Sequence, residues 1–156
     1  MPGVPDGFDK KELYKCLQCA ICTGSCPVSR VIEGFNPREM VLNYILNNEQ
    51  DEVLENEMIW YCTACQICSE RCPHEIDISG LIIHIMNHAA ERRNIPEPLQ
   101  KQVARIARTG RAIASTPRSK RIREEMGLKP LKEPDAGEIR KILSATGIAD
   151  IPDNGK

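Results

Sequence analysis

A cysteine pattern written twice limits the folds open to this chain. Cys16-Leu17-Gln18-Cys19-Ala20-Ile21-Cys22-Thr23-Gly24-Ser25-Cys26-Pro27 aligns with Cys62-Thr63-Ala64-Cys65-Gln66-Ile67-Cys68-Ser69-Glu70-Arg71-Cys72-Pro73. Both copies read C-x2-C-x2-C-x3-C-P, and together they hold all 8 cysteines of the 156 residues. A cubane iron–sulfur cluster needs one thiolate at each iron corner, and cysteines at i, i+3 and i+6 can curl round one face of the cube. The proline then turns the chain away. In chains with two such runs the fourth cysteine ligates the other cluster. The pattern therefore predicts two [4Fe–4S] clusters, one on Cys16, Cys19, Cys22 and Cys72, the other on Cys62, Cys65, Cys68 and Cys26.

Competing uses of cysteine fit less well. Structural zinc uses C-x2–4-C pairs set well apart, not three cysteines within seven residues. A redox-active C-x2-C pair needs neither doubling nor extension. An even cysteine count allows a disulfide scaffold, but such scaffolds belong to oxidising compartments. The N-terminal stretch Met1–Lys15 is polar, carries Pro2 and Pro5, and has no apolar run to act as a signal peptide. No run approaches the roughly 18 apolar residues of a membrane span. A cytoplasmic chain without direct membrane insertion is expected.

The net charge of −1 gives no nucleic-acid signal. Hydrophobic residues make up 41% but aromatics only 4%, so the core lacks the large side chains that usually dominate burial. Metal binding is then expected to contribute to folding.

Between the runs the pattern is helical. Asn36, Pro37 and Glu39 form a helix start, and Met40, Val41, Tyr44 and Ile45 recur on one face. Asp51 is expected to cap a second helix running through Leu54 and Met58 to Trp60, and Ser79 a third. Leu81, Ile82, Ile85, Met86 and Ala89 share one side of that third helix, which must end near Ile95, before Pro96 and Pro98. A fourth helix fits Pro98–Thr109, with Leu99, Val103 and Ile106 inward and Gly110 as its stop. Residues 111–134 hold Pro117, Pro130 and Pro134 and read as an extended arm. Asp135 and Glu138 open a last short helix through Leu143 to Gly147. No segment alternates with period two. The expected fold is all-α, with residues 1–95 built around the metal and residues 96–156 a helical and extended appendage.

Other residues invite a role. Ile21 and Ile67 stand at equivalent places and would shield clusters from water. Ala20, Ala64, Gly24 and Ser25 are small enough for backbone to approach sulfur. His74, just past the Pro73 turn, is either a neighbour of a cluster or a surface loop residue. His84 and His88 lie four apart on a helix without an accompanying H-E-x-x-H pattern, and read as a solvated or partner-facing pair. Residues 92–123 carry ten Lys or Arg against the single acid Glu97, with Lys101, Arg105 and Arg108 along one helix face. Residues 47–57 carry five acids and no base. These are either two solvated faces or a docking surface for another protein of a complex. The basic stretch lacks the interleaved aromatics of a nucleic-acid binder. No P-loop, G-x-G-x-x-G fingerprint or nucleophile–base pair is present. The chain is equipped to carry electrons, and any substrate chemistry belongs to another chain.

The two motifs flanking a helical segment resemble the α-helical ferredoxin domain, which also occurs in the iron–sulfur subunits of succinate dehydrogenase and fumarate reductase. Those add a plant-type [2Fe–2S] domain for which this chain has no cysteines. The first motif, Asn36-Pro37-Arg38 and Trp60-Tyr61-Cys62-Thr63-Ala64-Cys65 are similar to the C subunit of heterodisulfide reductase, over about residues 8–95. The resemblance implies an electron-transfer subunit in a hetero-oligomer of anaerobic, methanogenic cells. The A subunit of heterodisulfide reductase, carrying flavin and iron–sulfur clusters, would supply electrons. The catalytic B subunit would receive them and reduce the coenzyme M–coenzyme B heterodisulfide. All eight cysteines match the ligand pattern. A free ferredoxin-like carrier, a regulatory sensor, and the equivalent subunit of a related bacterial complex are the alternatives.

Overall fold

The structure is a computed structural model and describes residues 10–47 and 49–148; the polar N-terminal stretch up to Asp9 lies outside the described residues. The fold is all-α, and no strand occurs among the described residues. The chain divides into two compact units, Met1–Ile95 and Pro96–Lys156.

The first unit runs α1 (Lys10–Leu13), α2 (Ile21–Ser25), α3 (Pro37–Val41), α4 (Gln50–Glu55), α5 (Ile67–Glu70) and α6 (Ile78–Glu91). A π-helical turn, Leu42–Leu46, continues α3, and a 3-10 turn, Glu57–Tyr61, follows α4. The long helix α6 organises the rest, with α3, α4 and α5 packed on it. Its buried stripe of Ile78, Leu81, Ile82, Ile85 and Ala89 recurs at helical spacing. Against it lie Met40, Val41, Tyr44, Ile45, Val53 and Leu54. Each Val, Leu, Ile or Met among these contributes about 1.5–3 kcal/mol on burial. Tyr44 is the largest fully buried side chain.

The helix starts are set by side chains. At α3, the Asn36 side chain accepts from the Glu39 N–H at 3.3 Å, with Pro37 in the first turn. Two expected caps are corrected. The cap of α6 is Asp77, whose Oδ1 accepts from the Gly80 N–H at 2.9 Å, while Ser79 lies buried in the first turn. Gly80 makes room for this, because a Cβ there would meet Asp77 Oδ2 at 2.1 Å. Asp51 does not cap α4 either. Gln50 is buried and donates to the Tyr44 carbonyl at 3.5 Å, and the helix starts there, two residues earlier than expected, with Asp51 turned outward to pair with Arg92. The expected run to Trp60 is also broken, since Asn56 ends α4 and caps the 3-10 turn through the Met58 N–H. Helix α6 stops at Glu91, short of the expected Ile95. Arg93 adopts φ 61°, with Arg93 N–H on the Ala90 carbonyl and Asn94 N–H on the Ala89 carbonyl, the hydrogen-bond pair that closes a helix by a left-handed residue.

The second unit holds α7 (Glu97–Thr109), α8 (Pro117–Glu125) and α9 (Ala136–Ala145). Helix α7 packs on α9 and ends at Gly110, with φ 67°. A Cβ at Gly110 would also stand 2.7 Å from Pro134 Cγ. Asp135 caps α9 by accepting from the Gly137 and Glu138 N–H groups. The arm expected over residues 111–134 is corrected, because it contains α8. Thr116 and Ser119 cap each other reciprocally there, and Pro117 occupies the first turn. In that position proline favours a helix start.

Candidate metal centre

Within each motif the backbone takes the same unusual path. Gln18 and Ala20 flank Cys19 with φ of 56° and 63°, and Ala64 and Gln66 flank Cys65 with φ of 52° and 65°. Non-glycine residues in this region cost roughly 1–3 kcal/mol each and collect at ligand clamps. Successive left-handed turns also aim backbone N–H groups into one concavity, as iron–sulfur sites require. Ala20 and Gln66 immediately precede α2 and α5, so Cys22 and Cys68 fall in the first turns of two short helices packed on each other.

A polar latch repeats as well. Thr23, after the third cysteine, donates to Asn36 Oδ1 at 2.6 Å and accepts from the Arg38 N–H at 3.1 Å. Ser69, at the equivalent place, donates to Asp77 Oδ1 at 2.9 Å and accepts from the Ser79 N–H at 2.8 Å. Each motif is thus pinned to the N-terminus of the helix that follows it. Sequence reasoning missed this pair. Its signal was the aligned Thr and Ser within the repeat, each upstream of a capping Asn or Asp.

The outcome is two small recesses. The first is lined by Cys16, Cys19, Cys22 and Cys72, with Leu17, Gln18, Ile21, Arg38, His74 and Ile78. The second is lined by Cys26, Cys62, Cys65 and Cys68, with Val28, Phe35, Pro37, Ile67, Ser79 and Ile82. Each recess gathers three cysteines of one motif and the fourth of the other. None of the eight cysteines is in a disulfide. Among the described residues, no three or more His, Cys, Asp or Glu are drawn together to hold a single ion. A cubane asks for something different, since its four thiolates sit on separate iron corners.

The buried thiols need a bound cation in order to ionise. Burial pushes Cys68 up to about 11. Burial also raises Cys22, and it raises Cys62, where charge on Cys26 and Cys65 adds to the effect. Such thiols stay protonated at neutral pH unless a metal ion ionises them. Ser79 Oγ is buried on the wall of the second recess with no hydrogen-bond partner among the described residues. Such a donor needs an acceptor, which a cluster sulfur supplies. The recesses therefore fit the group that the motifs call for.

Other expectations divide. Ile67 is half-buried in its recess, but Ile21 is 41% exposed, so the shielding is unequal. A Cβ on Gly24 would meet no protein atom within 4 Å, so close packing does not explain that glycine. His74 lines the first recess. His88 is corrected: it is not simply solvated, since its Nδ1 lies 3.0 Å from the Tyr44 hydroxyl. Tyr44 is buried and its polar tip needs a partner.

Fold, paired recesses and repeated cysteine clamps define an iron–sulfur protein, and residues 12–76 match the family described as 4Fe-4S dicluster domain. Relatives along most of the chain narrow this further. The chain is 35% identical to the second iron–sulfur C subunit of CoB–CoM heterodisulfide reductase from Methanocaldococcus jannaschii, over 85% of this chain and 69% of that protein. It is 35% identical to the C subunit of the ferredoxin/F(420)H(2)-dependent CoB–CoM heterodisulfide reductase of Methanosarcina acetivorans, over 86% of this chain and 85% of that protein. With the C subunit of the H(2):CoB–CoM heterodisulfide,ferredoxin reductase of Methanothermobacter thermautotrophicus it shares 31% identity, over 90% of this chain and 78% of that protein. The chain belongs to the family of heterodisulfide reductase C subunits, the iron–sulfur subunits of an oxidoreductase complex. Among the described residues, no helix is long and apolar enough to cross a membrane.

Proposed function

We propose that this chain is the non-catalytic electron relay of a heterodisulfide reductase complex. In this reading it takes electrons from the flavin-bearing A subunit and delivers them to the catalytic B subunit, which reduces the coenzyme M–coenzyme B heterodisulfide. Two [4Fe–4S] clusters would be held by Cys16, Cys19, Cys22 and Cys72 and by Cys62, Cys65, Cys68 and Cys26. When bound, each supplies a one-electron redox centre. The observation that carries the reading is the partition of the eight cysteines between two recesses.

The chain's own residues do the rest. Crossed ligation by Cys26 and Cys72 ties the two motifs into one body. Val28, Phe35, Ile67 and Ile82 keep water from the second recess. Cys19 and Cys65 are exposed, which leaves each recess an edge towards solvent or a docked partner. The unit Pro96–Lys156 is read as a docking appendage. It is rich in Lys and Arg, and it exposes Ile113, Met126, Leu128 and Leu131, apolar groups that a partner protein would cover.

The test is anaerobic purification of the tagged full chain from its native host, with iron and sulfide analysis and mass spectrometry of co-purifying chains. About eight irons per chain, with a flavoprotein and a cysteine-rich catalytic protein in stoichiometric amounts, is the expected result. A cluster-loaded chain recovered alone would replace the relay with a mobile carrier.

A further inference from the structure

The repeat allows the two recesses to be compared position by position. Gln18 corresponds to Ala64, two residues after the first cysteine of each motif. His74 corresponds to Val28, two after the fourth cysteine. Arg38 corresponds to Ser79, since each lies two residues past the helix cap held by the latch, Asn36 or Asp77. At these three positions the more polar or charged residue lies on the first recess. The order is reversed where Thr63 and Gln66 correspond to Leu17 and Ala20, but Thr63 and Gln66 are neutral, and the only cation on either wall besides the histidine is Arg38.

Two of them are linked. Gln18 Nε2 donates to Cys16 Sγ at 3.2 Å, and Arg38 Nη1 donates to Gln18 Oε1 at 3.3 Å. The guanidinium thus polarises an amide that is itself bonded to a cysteine sulfur. Ala64 has no side chain that can do this. The second recess has only neutral side-chain donors on its wall, Thr63, Gln66 and Ser79, among Val28, Phe35, Pro37, Ile67 and Ile82. Its Cys26 and Cys68 are also buried, whereas Cys16, Cys22 and Cys72 are half-exposed and Cys19 is exposed.

Nearby charges do not reverse the contrast. Glu39 stands 3.7 Å from Arg38 but is 55% exposed, and water screens it. Glu70, Glu75 and Asp77 border an open depression that touches one recess through Cys72 and the other through Gln66, so they do not separate the two. Arg71 lines neither recess.

Reduction adds negative charge, which cations, hydrogen bonds to sulfur and solvent stabilise. We infer that Gln18 and Arg38, with His74 beside them, give the centre of Cys16, Cys19, Cys22 and Cys72 the higher reduction potential, so that an electron on the chain rests there. The inference depends on both recesses holding clusters. Gln18 and Arg38 are positioning residues that act through the cysteine sulfur.

The test is potentiometry followed by electron paramagnetic resonance on the anaerobic full-length chain, which yields two one-electron waves. Arg38→Ser copies the counterpart Ser79. It is expected to lower the reduction equilibrium constant of the upper wave about tenfold, 59 mV for a one-electron couple, and to move the lower wave less. Arg38→Lys keeps the charge and recovers part of the loss. Gln18→Ala copies Ala64, which tolerates nearly the same φ, and moves the upper wave in the same direction by about threefold, the scale of one hydrogen bond. Ala64→Gln raises the lower wave and narrows the gap. If Arg38→Ser loses iron, the directions of the Gln18→Ala and Ala64→Gln shifts decide the matter. Shifts confined to the lower wave, equal shifts in both, or none, in a chain that keeps its full iron, overturn the inference. A wild-type chain with only about four irons overturns the two-cluster reading and the inference with it.

Discussion

The two units of this chain are stabilised in different ways. Met1–Ile95 contains every fully buried hydrophobic residue among those described, from Leu13 to Ala89. It also spends backbone strain at four left-handed residues around Cys19 and Cys65. Pro96–Lys156 has three helices, two of them with side-chain N-caps and α7 closed by Gly110, none with a fully buried residue. The first unit has packing to spare for strained metal clamps, and the second rests on local signals. The first should therefore answer strongly to changes in its interior and its metal, and the second weakly to almost everything.

The largest effect is expected from the crossing cysteines. Cys26 lines the recess of the second motif and Cys72 that of the first. Cys26→Ser should remove the cluster of the second motif and leave that of the first, so that iron falls to about half of the full complement. Cys72→Ser should do the reverse. Iron analysis with paramagnetic resonance of the surviving centre checks this. Loss confined to the cluster of Cys26's own motif would show that the ligands do not cross.

Interior truncation comes next. Leu81 is fully buried on α6, and Leu81→Ala should destabilise the cluster-loaded protein by about 2–5 kcal/mol. Val103 on α7 is half-exposed, and Val103→Ala should cost less than about 1 kcal/mol, because little apolar surface is lost. Anaerobic denaturant unfolding followed by far-ultraviolet circular dichroism compares the two. Equal costs would mean that the second unit has an interior as demanding as the first.

The latch hydroxyls are a finer probe. Thr23→Val and Ser69→Ala each remove a donor to a helix cap and an acceptor for a backbone N–H. A loss of about 1–2 kcal/mol is expected for each. Faster loss of iron to a chelator is expected from the motif that each residue pins. In the second unit Asp135→Ala removes the α9 cap at a comparable cost of about 1 kcal/mol, with no change in iron release. An Asp135→Ala chain that sheds iron as fast as Ser69→Ala would erase the distinction between the units.

The legibility of the sequence follows the same division. Cysteine spacing nominates all eight recess positions, because ligation demands a fixed residue type at fixed intervals. The faces of α3 and α6 were also readable, since Met40, Val41, Tyr44 and Ile45, and Leu81, Ile82, Ile85 and Ala89, recur with helical period. Features set by tertiary competition were not readable. Buried Gln50 moved the start of α4 away from Asp51, and Ser69 together with Gly80 gave the α6 cap to Asp77 rather than Ser79. His88 looked solvated until Tyr44 arrived from the facing element. The helix within residues 111–134 was hidden because three prolines suggested an arm, although Pro117 sits where a proline begins a helix. The contrast between the recess walls was hidden for another reason. The corresponding residues Arg38 and Ser79 lie outside the aligned cysteine runs, and only the latch brings them into register.

The smallest effect expected is electrostatic and lies on α7. Lys101 Nζ stands 2.7 Å from Glu97 Oε1, one turn away. The hydrogen bond from Lys101, and then its charge, hold the Glu97 carboxyl below its ordinary value. A carboxyl depressed in the folded state supports the helix above its unfolded titration range, and that support fades as pH falls through the folded value. Both side chains are exposed, so the pair acts through water and salt weakens it. Nuclear magnetic resonance of the Glu97 carboxyl in the full chain should show a depressed midpoint that returns to the ordinary carboxylate range in Lys101→Ala or at high salt. The iron centres and the unfolding of the first unit should not respond. An unchanged midpoint would mean that the pair contributes nothing in solution. A response at the iron centres would mean that charge on the second unit reaches the first, against the independence on which the comparison of the two units rests.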